Sequence, residues 1–373
     1  MSKSAIVTGA GIVGLATARA LALKGYLVTV IERSERAVGA SIRNFGMIWP
    51  VGQPVGRLYE RALRSRAIWA DIGDSTGLWY NPSGSLHTAH HADEWQVLQE
   101  LNDIFRQEGR PVQLMTKAEI GESFTTVNPN GLIGGLYSKT EMVVDPRVAI
   151  TTVAAYLEEY LDVRFIWNTA ITQVAPGKVY AGKVQYEADL VVLCSGADFE
   201  TLYPELFGQM DITKCKLQMM RFVAPGRSAI GTSICGGLSL THYGSFKAAP
   251  GLQELRKRYE AELPGFIKYG IHVMVSQNNL GELTVGDSHE YGLTHDPFDR
   301  AEINQMIQDY LGSFVNSSDW QLVQSWNGIY PKLQNGEHHV FLQAEPGVYI
   351  LNGLGGAGMT LSFGLAEECF SAF

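Results

Sequence analysis

Apolar residues fall along this chain in two rhythms whose alternation predicts strands and helices in succession. Residues 5–8 form a short apolar run ending at glycine, and Ile12, Leu15, Ala16, Ala20 and Leu23 then recur at helical spacing until Gly25. Residues 27–31 are a β-branched run closing on Glu32, so the first 32 residues predict one βαβ unit of the usual ~30-residue size. Residues 57–72 read as a helix with Leu58, Ala62, Leu63 and Trp69 on one side and Arg57, Arg61, Arg64 and Arg66 forming a solvated face. Residues 79–89 predict strand around a turn at 82–84, and helices are expected over 94–107 and 117–120.

Strand character returns over 163–174 and again over 188–193, where the run enters Cys194, Ser195 and Gly196. An apolar strand ending in small residues suits a parallel sheet set against a cofactor. Residues 219–223, 272–276 and 282–286 alternate as antiparallel strands do, which predicts a separate sheet. A helix is expected over 299–311, followed by a strand at 348–351, a glycine loop at 353–358 and a helix at 360–368. The fold class expected is α/β: a Rossmann-like nucleotide domain with an interleaved α+β domain built on a mainly antiparallel sheet.

Composition narrows the partners. The 373 residues carry a formal charge of -9, with no cluster of Lys and Arg to neutralise phosphates, so a nucleic-acid groove is not expected and a small molecule is. Cys194, Cys215, Cys235 and Cys369 show no paired spacing, which predicts neither a zinc site nor a redox dithiol. His90-His91 and His338-His339 are neighbours whose side chains point to opposite faces of a strand, so no metal site is expected from them. No apolar run reaches the ~20 residues of a spanning helix, and the expectation is a cytoplasmic protein without a membrane span. Oligomeric state is left open.

The chemistry begins at Gly9-x-Gly11-x-x-Gly14. A tight turn, a close approach of backbone to pyrophosphate and close helix packing each demand a glycine, and the phosphate charge meets a helix N-terminus. Glu32, at the end of the next strand, is placed for ribose hydroxyls. NAD and FAD both use such a unit; the segment 350–361, a strand, a glycine-rich loop and a helix start, favours FAD, because that N-terminus can stabilise negative charge on a reduced flavin.

These motifs, with the block 41–48 (Ser-Ile-Arg-Asn-Phe-Gly-Met-Ile), residues 188–196, Trp326-Asn327-Gly328-Ile329-Tyr330-Pro331 and residues 347–368, resemble the D-amino acid oxidase superfamily of FAD-dependent amine oxidoreductases across nearly the whole chain. The resemblance implies flavin contacts at Gly9, Gly11, Gly14, Glu32, Arg33, Ser41, Asn44, Gly46, Met47, Val174, Ser195, Gly196, Gly356, Gly358, Met359 and Thr360. It implies hydride transfer from the carbon bearing an amine, then hydrolysis of the imine, with no obligatory catalytic acid-base pair. The flavin is expected to be non-covalent, since no cysteine lies between 326 and 358 and no histidine in 41–44. Gly286-Asp287 resembles a dipeptide of aromatic-ring hydroxylases but stands far upstream of the place it holds there.

Departures from the family pattern bear on the substrate. Glycine oxidase-like members carry an arginine where Tyr330 stands, and sarcosine oxidase-like members a lysine where Thr360 stands, so among the small amines expected, which are amino acids, N-methyl amines and aminophosphonates, a simple α-amino acid is less favoured than in the family at large. The stretches 43–50, 52–54 and 84–87 resemble a subgroup associated with phosphonate breakdown, which implies an aminoethylphosphonate-like or N-methylated aminophosphonate substrate. Arg221, Lys332, His272, Tyr243, Tyr330 and Trp49 are the candidate substrate-pocket residues. The flavin domain is expected over 1–80, 143–212 and 328–373, and the substrate domain over 81–142 and 213–327. A flavin-dependent 2-hydroxy acid dehydrogenase and a non-catalytic flavin-binding protein are the alternative readings.

Overall fold

A six-stranded sheet carries the first motif. The structure, a computed structural model, describes residues 3–373, and places the strands in the order Val340–Glu345, Val348–Asn352, Leu190–Leu193, Ser4–Thr8, Leu27–Ile31, Arg164–Ile166. All neighbours pair in parallel except the Val340–Glu345 edge. Alternate residues of each strand enter different cores: Ala5, Val7, Val28, Val30 and Val192 face the helices Ile12–Leu23, Pro146–Leu161 and Gly358–Cys369, while Ile6, Ile31, Val191 and Leu193 face the other side. Strands buried on both faces need apolar residues at every position, which is why these runs are continuous rather than alternating. A three-stranded meander, Gln173–Ala175, Lys178–Ala181 and Val184–Glu187, covers that second face through Val179.

The second large sheet is mainly antiparallel and built on two long strands, Ile212–Val223 and Gln321–Leu333, which pair along their whole length. Glu282–Gly286, Met274–Gln277, Ser233–Cys235, Ser85–Ala89, Gly134–Ser138 and Val112–Thr116 extend it, with one parallel pairing between Ser233–Cys235 and Ser85–Ala89. The mixed α/β class is as expected. The long strand Gln321–Leu333 runs unbroken through the boundary expected at 328, so it serves both sheets' surroundings.

Three expected elements take a different form. The stretch 79–89 is not a hairpin: Tyr80–Asn81 pairs with Met142–Val144, whereas Ser85–Ala89 belongs to the large sheet, the chain turning between them at Gly84 with φ +71. The stretch 163–174 divides into Arg164–Ile166 on the parallel sheet and Gln173–Ala175 on the meander. The arginines of the helix Arg57–Thr76 are not all solvated, because Arg61 is buried and, with Arg57, grips Glu368, while Arg64 grips Glu367. Unanticipated was the helix Pro146–Leu161, although Asp145 caps it by accepting from the Arg147 N–H and Pro146 opens it. No described helix is long and apolar enough to cross a membrane.

Candidate active site

The glycine turn after Ser4–Thr8 is shaped by contact distances. Gly9 has φ +98, and a Cβ there would lie 2.6 Å from the Cys194 carbonyl oxygen; a Cβ on Gly14 would come 1.9 Å from the Gly9 oxygen. Only hydrogen fits, so the helix Ile12–Leu23 starts hard against the turn with its first N–H groups turned to the cavity. Ser41 Oγ accepts from the Ile12 N–H at 3.0 Å, which leaves its own hydrogen for an anion. Glu32 accepts from the Ala10 N–H at 2.8 Å and the Ser34 N–H at 3.0 Å, and its remaining lone pairs suit ribose hydroxyls.

A cavity of about 1120 Å³ runs from Gly9, Gly11, Glu32 and Arg33 past Ser195 and Gly196 to Gly356, Gly358, Met359 and Thr360. That exceeds the ~300–1000 Å³ of ordinary small-molecule pockets, and gives room for a dinucleotide with a substrate beside it. Ser41, Asn44 and Met47 line it as well. Asn44 holds its own loop, donating to the Ala40 and Ser41 carbonyls and accepting from the Gly46 N–H. Asn352 donates to Ser195 and Gly196, tying two parallel strand ends together. The helix Gly358–Cys369 points its N-terminus into the same space. Backbone donors at one end, a carboxylate beside them and a second helix N-terminus at the other fit an extended, anionic dinucleotide.

Three residues carried over as flavin contacts do not line the cavity. Gly14 and Gly46 act through packing, for a Cβ on Gly46 would meet the Val144 oxygen at 1.9 Å. Val174 sits on the meander strand Gln173–Ala175, while Ala170, Ile171 and Thr172 reach the cavity, a displacement caused by the break in the expected strand.

Of the substrate candidates, Trp49, Tyr243, His272, Tyr330 and Lys332 share the cavity. Arg221 does not: it donates to Gln324 at 2.6 Å, lies 3.7 Å from Glu282 and stacks on Trp326 at 4.9 Å. It shares the strand face of Leu217 and Met219, which line the cavity, but lies further along the strand, beyond the cavity wall. Trp49 Nε1 is buried without a partner, while Tyr243 donates to Met274 Sδ at 3.1 Å. Burial pushes the Tyr243 and Tyr330 hydroxyls well above the ordinary range, so both remain protonated donors.

Three further residues were missed: His242, Asp287 and His289. His242, His272 and His289 converge, with ring centroids 3.8 to 5.0 Å apart, and Asp287 stands among them, 3.2 Å from His272 Nε2 and 3.8 Å from His289 Nε2. His272 and Asp287 exchange backbone hydrogen bonds across two strands, which puts them side by side. His289, two residues on, shares the face of Asp287. His242 is exposed where its ring opens into the cavity. Burial holds the His242 and His272 rings well below the usual imidazole range and His289 at about 4, and pushes the Asp287 carboxyl well above its own. The alternating Asp287-Ser288-His289 was a visible signal; that His242 and His272 would meet it was not.

Residues 4–370 match the family model described as FAD dependent oxidoreductase. A glycine oxidase of Pseudomonas aeruginosa is 27% identical over 297 residues, covering 70% of this chain and 78% of the relative. A bifunctional protein of tRNA 5-methylaminomethyl-2-thiouridine biosynthesis from Chromobacterium violaceum is 36% identical over 113 residues, 27% of this chain and 16% of the relative. Among solved structures, glycine oxidase from Geobacillus kaustophilus superposes with a TM-score of 0.79 at 19% identity, covering 99% of this chain and 94% of that one. L-proline dehydrogenase from P. horikoshii gives 0.80 at 20%, covering 98% and 91%. At these identities the likeness to the solved structures is one of fold.

Proposed function

The chain belongs to the FAD-dependent oxidoreductase family, and from that membership we propose that it oxidises the C–N bond of a small amine carrying an acidic head group. It is an FAD-dependent amine oxidoreductase; the bond and the head group are the proposal. The supporting observation is that the pocket walled by Trp49, Tyr243, Tyr330 and Lys332 opens into the same cavity as the Gly9 to Glu32 cradle and the Gly356 to Thr360 loop, so substrate and flavin share one chamber.

Bound FAD supplies a hydride acceptor. The residues of the chain do the rest. Trp49 and Tyr243, with ring centroids 6.1 Å apart, form an apolar wall that excludes water from the reacting carbon. Tyr330 brings its hydroxyl toward Gly356, whose Cβ position lies 3.5 Å from it, and stands ready to donate to a substrate oxygen. Lys332 contributes a cation where no arginine stands, and a point charge suits a tetrahedral anion as well as a planar carboxylate. Proximity in one shared cavity, rather than a dedicated acid-base pair, carries the rate.

Anaerobic mixing of the yellow holoenzyme with amino acids, N-methyl amines, aminophosphonates and 2-hydroxy acids tests this reading. Bleaching of the flavin by amines with an acidic group is expected, and ammonia or methylamine release on turnover. Reduction by hydroxy acids alone, or by nothing in the panel, defeats it.

A further inference from the structure

We propose that His242, His272, His289 and Asp287 form a site for one divalent first-row metal ion, of the zinc or iron(II) class, which holds the acidic head group of the substrate. The metal site stands on geometry alone; the role in substrate binding rests on the function proposed above. The ligand atoms of the three histidines lie within 4.8 Å of one another, whereas a tetrahedral ion with bonds of ~2.0–2.1 Å wants them roughly 3.3 Å apart. Binding would draw the rings closer by that difference.

Hydrogen bonding within the cluster is incomplete. His289 Nδ1 lies 2.9 Å from the Gly270 carbonyl oxygen, which can only accept, so Nδ1 carries the hydrogen and Nε2 of the neutral ring is left as a lone pair. A backbone carbonyl on the far nitrogen is the arrangement that fixes the tautomer of metal-ligating histidines. That lone pair looks toward Asp287 Oδ2 at 3.8 Å, beyond hydrogen-bond distance. Both ring nitrogens of His272 and Oδ1 of Asp287 are buried with no hydrogen-bond partner, the 3.2 Å approach between them being out of line. Buried polar groups without partners are costly, and these stand where the three histidines converge.

A bare anion does not suit that spot, because none of these four side chains offers it a positive charge. An ammonium would satisfy the carboxylate but not three imidazoles. A divalent cation takes imidazole and carboxylate together and keeps a coordination position for an exogenous oxygen. It would add to the charge of Lys332 in a pocket whose arginines, Arg33 and Arg43, are engaged by Asp198 and by the Val38 and Asn327 carbonyls.

The test uses the FAD-loaded enzyme after chelator dialysis, titrated with Co²⁺ as the probe. One equivalent should bind per chain and give a ligand-field band to the red of the flavin absorption. His289→Ala and the isosteric Asp287→Asn should each weaken binding by at least ~10-fold, with flavin content and melting temperature confirming that each variant folds. Absence of stoichiometric binding, or binding unchanged in both variants, overturns the site. Methylphosphonate and acetate, added to metal-free and metal-loaded enzyme, should perturb the flavin spectrum at lower concentration in the loaded form. Identical titrations overturn the head-group role while leaving the metal. Anaerobic flavin reduction by amines is scored separately on both forms, so loss of the amine-oxidation reading is seen apart from loss of the metal.

Discussion

Two single residues carry the sharpest expectations. Glu32 holds two backbone N–H groups of the turn and, in the reading above, the ribose of FAD. Hydrogen bonds to a charged group contribute about 1.5–3 kcal/mol each, so Glu32→Ala should raise the FAD dissociation constant roughly 10- to 100-fold, measured by fluorescence titration of stripped protein. His87 is a different case. It is wholly buried between Trp49 and Phe246, its Nε2 has no partner, and burial holds its ring at about 3. The unfolded chain takes up a proton near pH 6.5 that the folded ring refuses until about pH 3, so stability falls as pH drops through that window, by roughly 1.4 kcal/mol per pH unit. His87→Leu should flatten the acid limb of the melting curve by one proton's worth of slope; an unchanged slope means the ring titrates normally. The glycine turn and Glu32 were legible because turn, helix and acid lie within one short unit whose geometry is local. The histidine cluster was not, since residue 272 is brought to 287 and 289 by a backbone pairing and residue 242 reaches them from the end of the 3-10 helix Gly237–Thr241, contacts that no spacing rule encodes.

At the level of elements, the continuous apolar runs 5–8, 27–31 and 188–193 were readable because a strand buried on both faces leaves no alternative pattern. The stretch 163–174 misled for a related reason: β-branched residues mark strands but not where a chain leaves one sheet for another. The arginine-rich helix misled through charge. Arg61 has a side-chain exposure of 2% and donates to both oxygens of Glu368, at 2.8 and 2.9 Å. With Arg64 and Arg19 on Glu367, it fastens the final helix, and hence the N-terminus that faces the cavity. Removing one partner of a buried pair costs about 3–5 kcal/mol because the other charge stays behind. Glu368→Gln should therefore lower urea stability by roughly 3 kcal/mol and loosen FAD as well, while replacing the solvent-exposed Arg57, whose pair is worth under ~1 kcal/mol, should do neither.

For the whole molecule, the cavity is the place where the two large sheets meet: Gly9, Ser195 and Gly356 come from the ends of the parallel sheet, Met219 and Met274 from the antiparallel one. A ligand filling it touches both, whereas the protein links them through the two long strands Ile212–Val223 and Gln321–Leu333 and the short sheet around Met142–Val144. FAD should accordingly act as a folding ligand as well as a reactant. At a free concentration ~1000 times its dissociation constant it adds about 4 kcal/mol, which for a chain of 373 residues raises the melting temperature by roughly 5 °C. Calorimetry of stripped and reconstituted protein measures this directly. If stripping leaves the parallel-sheet signals intact and lowers only those of the antiparallel sheet, followed by hydrogen exchange at 4–8 and 274–277, the cofactor's main mechanical role is to hold the substrate half closed over a cradle that the first 32 residues form unaided.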